Sequence, residues 1–103
     1  MKFIEDMSIK DRLSFLQRYI LVHSRLYYDK DTSVISDKKY DFIAKKLVEL
    51  KNKYDKEWQK TDYYYCFKDF DGTTGFDLWN RLKVKDKKVI ELISNIIYKM
   101  KGK

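Results

Sequence analysis

The sequence predicts a mainly α-helical protein, a small bundle built on an antiparallel helical hairpin. Three segments repeat apolar residues at spacings of three and four, the period of a helix with one buried face. Proline is absent and there are only three glycines, so long irregular connections are not expected. Hydrophobic residues make up 44% and aromatic residues 17% of the chain, too much for a disordered protein. At 103 residues, we expect one helical domain over 1–103 with a limited core.

The first helix is predicted from about Ile9 to Tyr28. Ser8 can cap its N-terminus, and an acidic residue, Asp11, follows near the positive end of the helix dipole. Its apolar face repeats at the helical period through five positions: Leu13, Leu16, Ile20, His23 and Tyr27. We expect His23 to be a neutral, hydrogen-bonded residue at the edge of the core, because no nucleophile lies near it in the pattern.

The second helix is predicted from about Asp37 to Tyr54, after a polar loop rich in turn-forming residues. Ser36 can act as its N-cap and accept hydrogen bonds from the free amides of the first turn. The buried face of this helix is predicted at Tyr40, Ile43, Leu47, Leu50 and Tyr54. With so short a connection, the two helices are expected to pack antiparallel.

The second half of the chain predicts smaller elements and one further long helix. Residues 63–70 have strand propensity, so a short extended or hairpin element is expected there, with a turn at the following Asp-Gly step. A short helix is predicted over 76–82 and a long one over 87–100. The predicted buried stripe of the long helix is Val89, Ile93, Ile96, Ile97 and Met100. Across the chain, the core positions expected to cost about 2–5 kcal/mol on change to Ala are Leu16, Ile20, Leu47, Ile93 and Ile96.

Polar and aromatic side chains cluster on both sides of the loop between the first two helices. Asp37, Tyr40 and Asp41 lie at spacings of three and four and therefore share one helix face. Tyr27 and Tyr28 end the preceding helix and can meet that face across the loop. The cluster either forms the core of the hairpin, with the aspartates as caps, or makes a small pocket for a planar, partly cationic ligand.

The same residues carry a resemblance to a known family. The pattern His-x-x-x-Tyr-Tyr, eight residues, then Asp-x-x-Tyr-Asp resembles the N-terminal helical subdomain of NAD-dependent bacterial DNA ligases. In that family the subdomain binds the nicotinamide mononucleotide half of NAD; tyrosines frame the nicotinamide and aspartates hold the ribose. The resemblance therefore implies a ligand site for NAD or nicotinamide mononucleotide. Its binding residues would be Tyr27, Tyr28, Asp37, Tyr40 and Asp41.

This chain departs from the family pattern at two charged positions. Lys39 replaces the usual Glu, and Arg25 stands where an aromatic residue is common, so both would add positive charge beside the site. The segment from Phe70 to Leu78 looks like small ligase-related proteins of phages. The family's catalytic lysine motif and nucleotidyltransferase domain have no counterpart here, so we expect no enzymatic activity and no required cofactor.

Charge and cysteine content limit the remaining possibilities. The net charge of +7 permits nucleic-acid contact without requiring it. Cys66 is the only cysteine in the sequence, which leaves no internal disulfide, and with one histidine beside it no ordinary zinc site is expected. No run reaches the length of a membrane span and the N-terminus lacks a signal-peptide profile, so a cytoplasmic location without membrane contact is expected.

Two classes of function remain open at this point. The first is a noncatalytic nucleotide-binding module that holds a nicotinamide nucleotide. The second is a phage-borne accessory or inhibitor protein that binds a host or phage protein or a nucleic-acid complex, for example an antagonist of a defence system. Such a factor would reuse the helical hairpin as a scaffold, and fold resemblance alone does not choose between the two.

Overall fold

The computed structural model describes residues 8–29, 35–68, 70–72 and 78–101, and these ranges are mainly α-helical without any strand. The predicted fold class, a small helical bundle, is therefore confirmed. The helices found in the described ranges are α1 (Ile9–Asp29), α2 (Asp37–Lys53), α3 (Asp55–Trp58), α4 (Tyr64–Phe67), α5 (Leu78–Arg81) and α6 (Val84–Lys101).

Serine caps begin the two helices of the hairpin, as the sequence predicted. The Ser8 hydroxyl accepts a hydrogen bond of 3.1 Å from the Asp11 amide, and the Ser36 hydroxyl accepts one of 3.1 Å from the Lys39 amide. Each bond satisfies one of the amides that have no partner inside a helix. The predicted starts of α1 and α2 are thus confirmed, and their ends lie within one residue of the prediction.

The two long helices pack against each other in opposite directions. Near the loop, Ser24 of α1 contacts Tyr40 of α2. At the other end, the turn that follows α2 and α3 returns to the first half of α1, where the Asp62 amide donates to Ser14 at 3.1 Å. The start of α2 therefore lies beside the end of α1, as an antiparallel hairpin requires.

The core fills the space between α1, α2 and the shorter helices, and α6 covers it. Its fully buried apolar side chains come from α1, α2, α3, α4 and α6: Leu13, Ile20, Leu26, Ala44, Leu47, Trp58, Cys66, Phe67 and Ile90. Aromatic rings meet edge to face at its centre, with 6.3 Å between the ring centroids of Trp58 and Phe67 and 5.2 Å between those of Phe67 and Phe70. Such contacts stabilise a small core beyond the area that they bury.

The predicted extended element near 63–70 is wrong, because residues 64–67 form the short helix α4. The pattern of buried side chains explains why this segment is helical. Tyr63, Cys66 and Phe67 are all buried, and their spacing of three and four places them on one side of a helical turn. In a strand, Cys66 and Phe67 would point to opposite faces. Tertiary packing thus overrides the strand propensity of the tyrosine run.

The prediction of which face of the last helix is buried is also partly wrong. α6 buries Ile90 and Ser94 completely, while Ile93 and Ile97 are partly buried. Ile96 is 51% exposed and Met100 69% exposed, so neither belongs to the core, and Val89 is exposed as well. α6 also begins earlier than predicted, at Val84.

Two contacts to other helices set the rotation of α6. The Glu91 carboxylate accepts a hydrogen bond of 2.7 Å from the guanidinium of Arg25 on α1, and Asp86 accepts one from the Tyr65 hydroxyl. Among the other predicted core positions, Ile20 and Leu47 are buried as expected, whereas Leu16 is only partly buried.

A turn with positive φ follows the aromatic core, at the predicted Asp-Gly step. Gly72 has a φ of 85°, a backbone conformation that residues with a Cβ rarely adopt. An added Cβ there would lie 3.1 Å from the Val48 side chain and 3.6 Å from the Ala44 carbonyl oxygen. Glycine therefore lets this turn pack directly on α2. The predicted start of the helix over 76–82 lies outside the described residues, and α5 occupies 78–81.

Candidate ligand-binding cleft

A cleft of about 400 Å³ opens between the last turns of α1 and the first turns of α2. Its lining residues are His23, Ser24, Tyr27, Tyr28, Ile35, Asp37, Tyr40 and Asp41. All of the residues that the ligase resemblance singled out are among them. The volume falls within the range of small-molecule sites in proteins.

The two tyrosines at the end of α1 form an exposed aromatic wall. Tyr27 is 51% exposed and Tyr28 47% exposed, although both are large hydrophobic rings. Their ring centroids lie 5.0 Å apart with an interplanar angle of 78°, an edge-to-face pair. The pair presents ring surface to the cleft that the core of the bundle does not use.

Tyr40 of α2 forms the opposite wall of the cleft and is fixed by a hydrogen bond to α1. Its hydroxyl lies 2.8 Å from the hydroxyl of Ser24, which is buried on α1, and either group can donate. Burial raises the pKa of the Tyr40 phenol, the hydrogen bond with Ser24 lowers it, and the nearby Tyr28 raises it further. The phenol is therefore neutral at physiological pH and its hydroxyl is committed to the hairpin, while the ring borders the cleft.

Two carboxylates complete the cleft on α2. Asp37 is the first residue of the helix, one turn before Asp41. Asp41 pairs with Lys45 at 2.9 Å, but both side chains are more than half exposed, so this pair contributes little to stability. Among the residues that the structure describes, none donates a hydrogen bond to the Asp37 carboxylate. Both acidic groups are thus accessible to a ligand.

His23 lies at the inner end of the cleft, at the edge of the core, as predicted, but the expected hydrogen bond to its ring is not found among the described residues. Its ring centroid is 4.4 Å from that of Tyr19, and the rings are tilted by 48°. Burial, and after it the positive charge of Lys39, lowers the pKa of the His23 imidazole below its usual value. The neutral form is therefore favoured at neutral pH, which adds no positive charge to the cleft.

The positive charge expected from Arg25 lies outside the cleft. Its guanidinium stacks on the Trp79 ring at 3.7 Å from the centroid and forms an ion pair of 2.7 Å with Glu91. Arg25 thus joins α1 to α5 and α6. The expectation that it would charge the ligand site is wrong, because the adjacent residue, Ser24, is the one that faces α2.

Sequence reasoning missed Ser24 as part of the site. It precedes Tyr27 by three residues and Tyr28 by four, so its position on the same side of α1 could have been noticed. Its role depends on Tyr40, which lies 16 residues away, and that contact is not visible in any local pattern.

The arrangement has the chemistry of a site for a flat, positively charged group. Ring faces attract cations through their quadrupole, and carboxylates accept hydrogen bonds from hydroxyl groups. Within the described ranges, no cluster of three histidine, cysteine or acidic side chains is arranged to hold a metal ion. None of the described helices is long and apolar enough to cross a membrane.

Comparison with known proteins gives a partial match to a DNA ligase. A 47-residue stretch, 46% of this chain, is 38% identical to the DNA ligase of Desulfosudis oleivorans (strain DSM 6200 / JCM 39069 / Hxd3). The chain spans only 7% of the length of that ligase. No family model and no solved structure matches the chain. The chain is thus a small helical protein with a region similar to part of a DNA ligase.

Proposed function

We propose that this protein is a noncatalytic nucleotide-binding module that holds a nicotinamide nucleotide in the cleft between α1 and α2. The observation that supports it most is the convergence of three tyrosines and two aspartates, from two helices, on one open cleft. A stretch of 47 residues is similar to part of a DNA ligase, which agrees with this proposal. The proposal takes the nicotinamide nucleotide as ligand from the resemblance of the sequence to the N-terminal subdomain of NAD-dependent ligases.

The cleft offers a separate contact for each part of nicotinamide mononucleotide. The pyridinium ring gains about 0.5–2 kcal/mol from cation–π contact with the faces of the tyrosines. Asp37 and Asp41 accept hydrogen bonds from the ribose hydroxyls, which orients the sugar. In this proposal the phosphate would lie toward the start of α2, where the helix dipole and the exposed Lys38 and Lys39 favour an anion.

Binding rather than catalysis is proposed because the lining residues supply recognition chemistry. Ring faces and carboxylates bind and orient a nucleotide, and the Tyr40 hydroxyl is already hydrogen-bonded to Ser24. A module of this kind would sequester or sense the nucleotide, or deliver it to a partner.

Titration calorimetry with nicotinamide mononucleotide tests the proposal. We expect saturable heat with the unmodified protein and a much weaker response to AMP, which carries a ribose phosphate but no cationic ring. Tyr27→Ala and Asp41→Asn should weaken binding by at least about tenfold, since each removes a contact worth on the order of 1.4 kcal/mol. Both side chains are about half exposed, so the variants should remain folded.

Phe42→Ala is the matched control for these variants. Phe42 is 65% exposed on the same helix and does not line the cleft, so its loss should leave the affinity unchanged. Absence of heat from the unmodified protein at millimolar nicotinamide mononucleotide and NAD would rule out the proposed function. Equal loss in the control and the cleft variants would show that binding lies elsewhere.

A further inference from the structure

A line of exposed apolar side chains runs along the surface of α6. It consists of Val89, Leu92, Ile96 and Met100, which are 44%, 62%, 51% and 69% exposed. We call these four residues the α6 stripe. Single exposed apolar residues are ordinary, but a contiguous line of them marks a site of interaction.

The spacing of the α6 stripe makes it one continuous surface. Its residues follow each other at intervals of three, four and four, so they occupy a sector of about 80° around the helix. From Val89 to Met100 the stripe extends about 16 Å, or three helical turns. One of its edges adjoins Ile93, which packs on the core.

Lysines lie near both ends of the stripe. Lys88 and Lys99 lie within about 40° of Leu92 around the helix, and Lys85 precedes Val89 by one turn. All three lysines are exposed. No ion pair or hydrogen bond occupies their ammonium groups within the described part of the chain. The stripe therefore has lysines near both of its ends.

We propose that the α6 stripe is the docking surface for an amphipathic α-helix of a partner protein whose apolar face is flanked by Asp and Glu. Intervals of three and four residues match the repeat with which side chains of one helix enter the spaces between those of another. Acidic flanks on the partner would pair with Lys85, Lys88 and Lys99, which fixes its orientation and speeds its association.

Charge argues against a second copy of this chain as the occupant. Two α6 stripes packed on each other would bring the lysines of both chains together, and each chain already carries a net charge of +7. A nucleic acid fits poorly for another reason. Its phosphates would contact the lysines but would leave the apolar side chains between them against a charged backbone.

The test uses the full chain and two synthetic helical peptides labelled with a fluorophore. Both peptides carry Leu and Ile at intervals of three and four. One has Glu at the flanking positions and the other has Lys there. In fluorescence anisotropy we expect the acidic peptide to bind and the basic one not to bind. Leu92→Glu and Ile96→Glu, at exposed positions, should each weaken binding of the acidic peptide by at least about tenfold.

A charge exchange separates specific docking from general hydrophobic adhesion. The combined variant Lys85→Glu, Lys88→Glu and Lys99→Glu should lose the acidic peptide and gain the basic one. Phe42→Glu changes an exposed apolar residue on α2 and should have no effect.

Four results would overturn the proposal. They are equal binding of both peptides, binding of neither, a dimer in sedimentation that Leu92→Glu dissolves, and a preference for duplex DNA that Leu92→Glu abolishes. Each would assign the stripe to another occupant or to none. Because these measurements do not involve the cleft, their failure leaves the nicotinamide nucleotide test unaffected.

Discussion

The hydrogen-bonded pair of Ser24 and Tyr40 contributes both to the fold and to the proposed site. The hydrogen bond between the two hydroxyls joins α1 to α2 close to the loop, and it fixes the position of a ring that borders the cleft. Without this bond the Tyr40 ring could rotate among other positions. Ordering the ring on binding would then lower the affinity for a ligand.

Local spacing was enough to predict which side chains share the cleft, but not which contacts hold them there. Asp37, Tyr40 and Asp41 share a helix face because of their intervals, and Tyr27 and Tyr28 reach the same cleft because the connection is short. Ser24 and the outward contact of Arg25 depend on residues 16 and 66 positions away. Such partners are set by packing, which a single sequence does not display.

His23 gives a pH prediction at the residue scale. Burial and Lys39 lower the pKa of the folded-state imidazole, so the unfolded chain binds more protons around and below pH 6.5. Stability from this group is therefore present above pH 6.5 and is lost as pH falls toward the lower, folded-state pKa. We expect the free energy of unfolding from urea titrations to decline between pH 7 and 5 in the unmodified protein.

The control for this prediction is His23→Gln, which keeps a polar side chain but does not titrate. Its stability should change less over the same pH interval, because the proton uptake of the unfolded chain at this position is removed. Parallel stability curves for the two proteins would contradict the assignment. His23 is the only histidine in the sequence, so no second imidazole complicates the comparison.

At the scale of elements, the sequence predicted the bounds of a helix well where only one of its faces is apolar. α1 and α2 have serine caps and distinct polar sides, and both were located to within one residue. α6 has apolar residues on nearly every side, so its period does not identify the buried face. α4 was missed because three tyrosines favour a strand, whereas the burial of Cys66 and Phe67 requires a helical turn.

The corrected orientation of α6 predicts unequal effects of two similar substitutions. Ile90 is fully buried, so Ile90→Ala should cost about 2–5 kcal/mol through lost burial and the cavity that remains. Ile96 is half exposed, and Ile96→Ala should change stability by no more than about 0.5 kcal/mol. The shift of the urea midpoint for each variant measures this difference. Equal losses would mean that Ile96, not only Ile90, faces the core.

At the scale of the whole molecule, α1 joins the two proposed binding surfaces. Its last turns form one wall of the cleft, and Arg25 in the same turns holds α6 through Glu91. A nucleotide in the cleft and a helix on the α6 stripe would therefore occupy different surfaces of one bundle. A protein that binds both would fit either class predicted from the sequence, a nucleotide-binding module or an accessory factor.

A buried polar group holds the middle of the chain to α1 and gives the last prediction. Gln17 is fully buried; its amide nitrogen donates to the Thr61 hydroxyl at 2.9 Å, and its amide oxygen accepts from the Tyr63 amide at 3.3 Å. Gln17→Leu keeps the volume but leaves that backbone amide without its partner, which should cost about 1–3 kcal/mol in urea unfolding. Gln59→Ala is the control, because Gln59 is exposed and its side-chain amide donates to the nearby Asp55 carboxylate at 3.0 Å, so the loss should be within about 0.5 kcal/mol. If Gln17→Leu were no less stable than this control, the segment after α3 would be held by its apolar side chains alone.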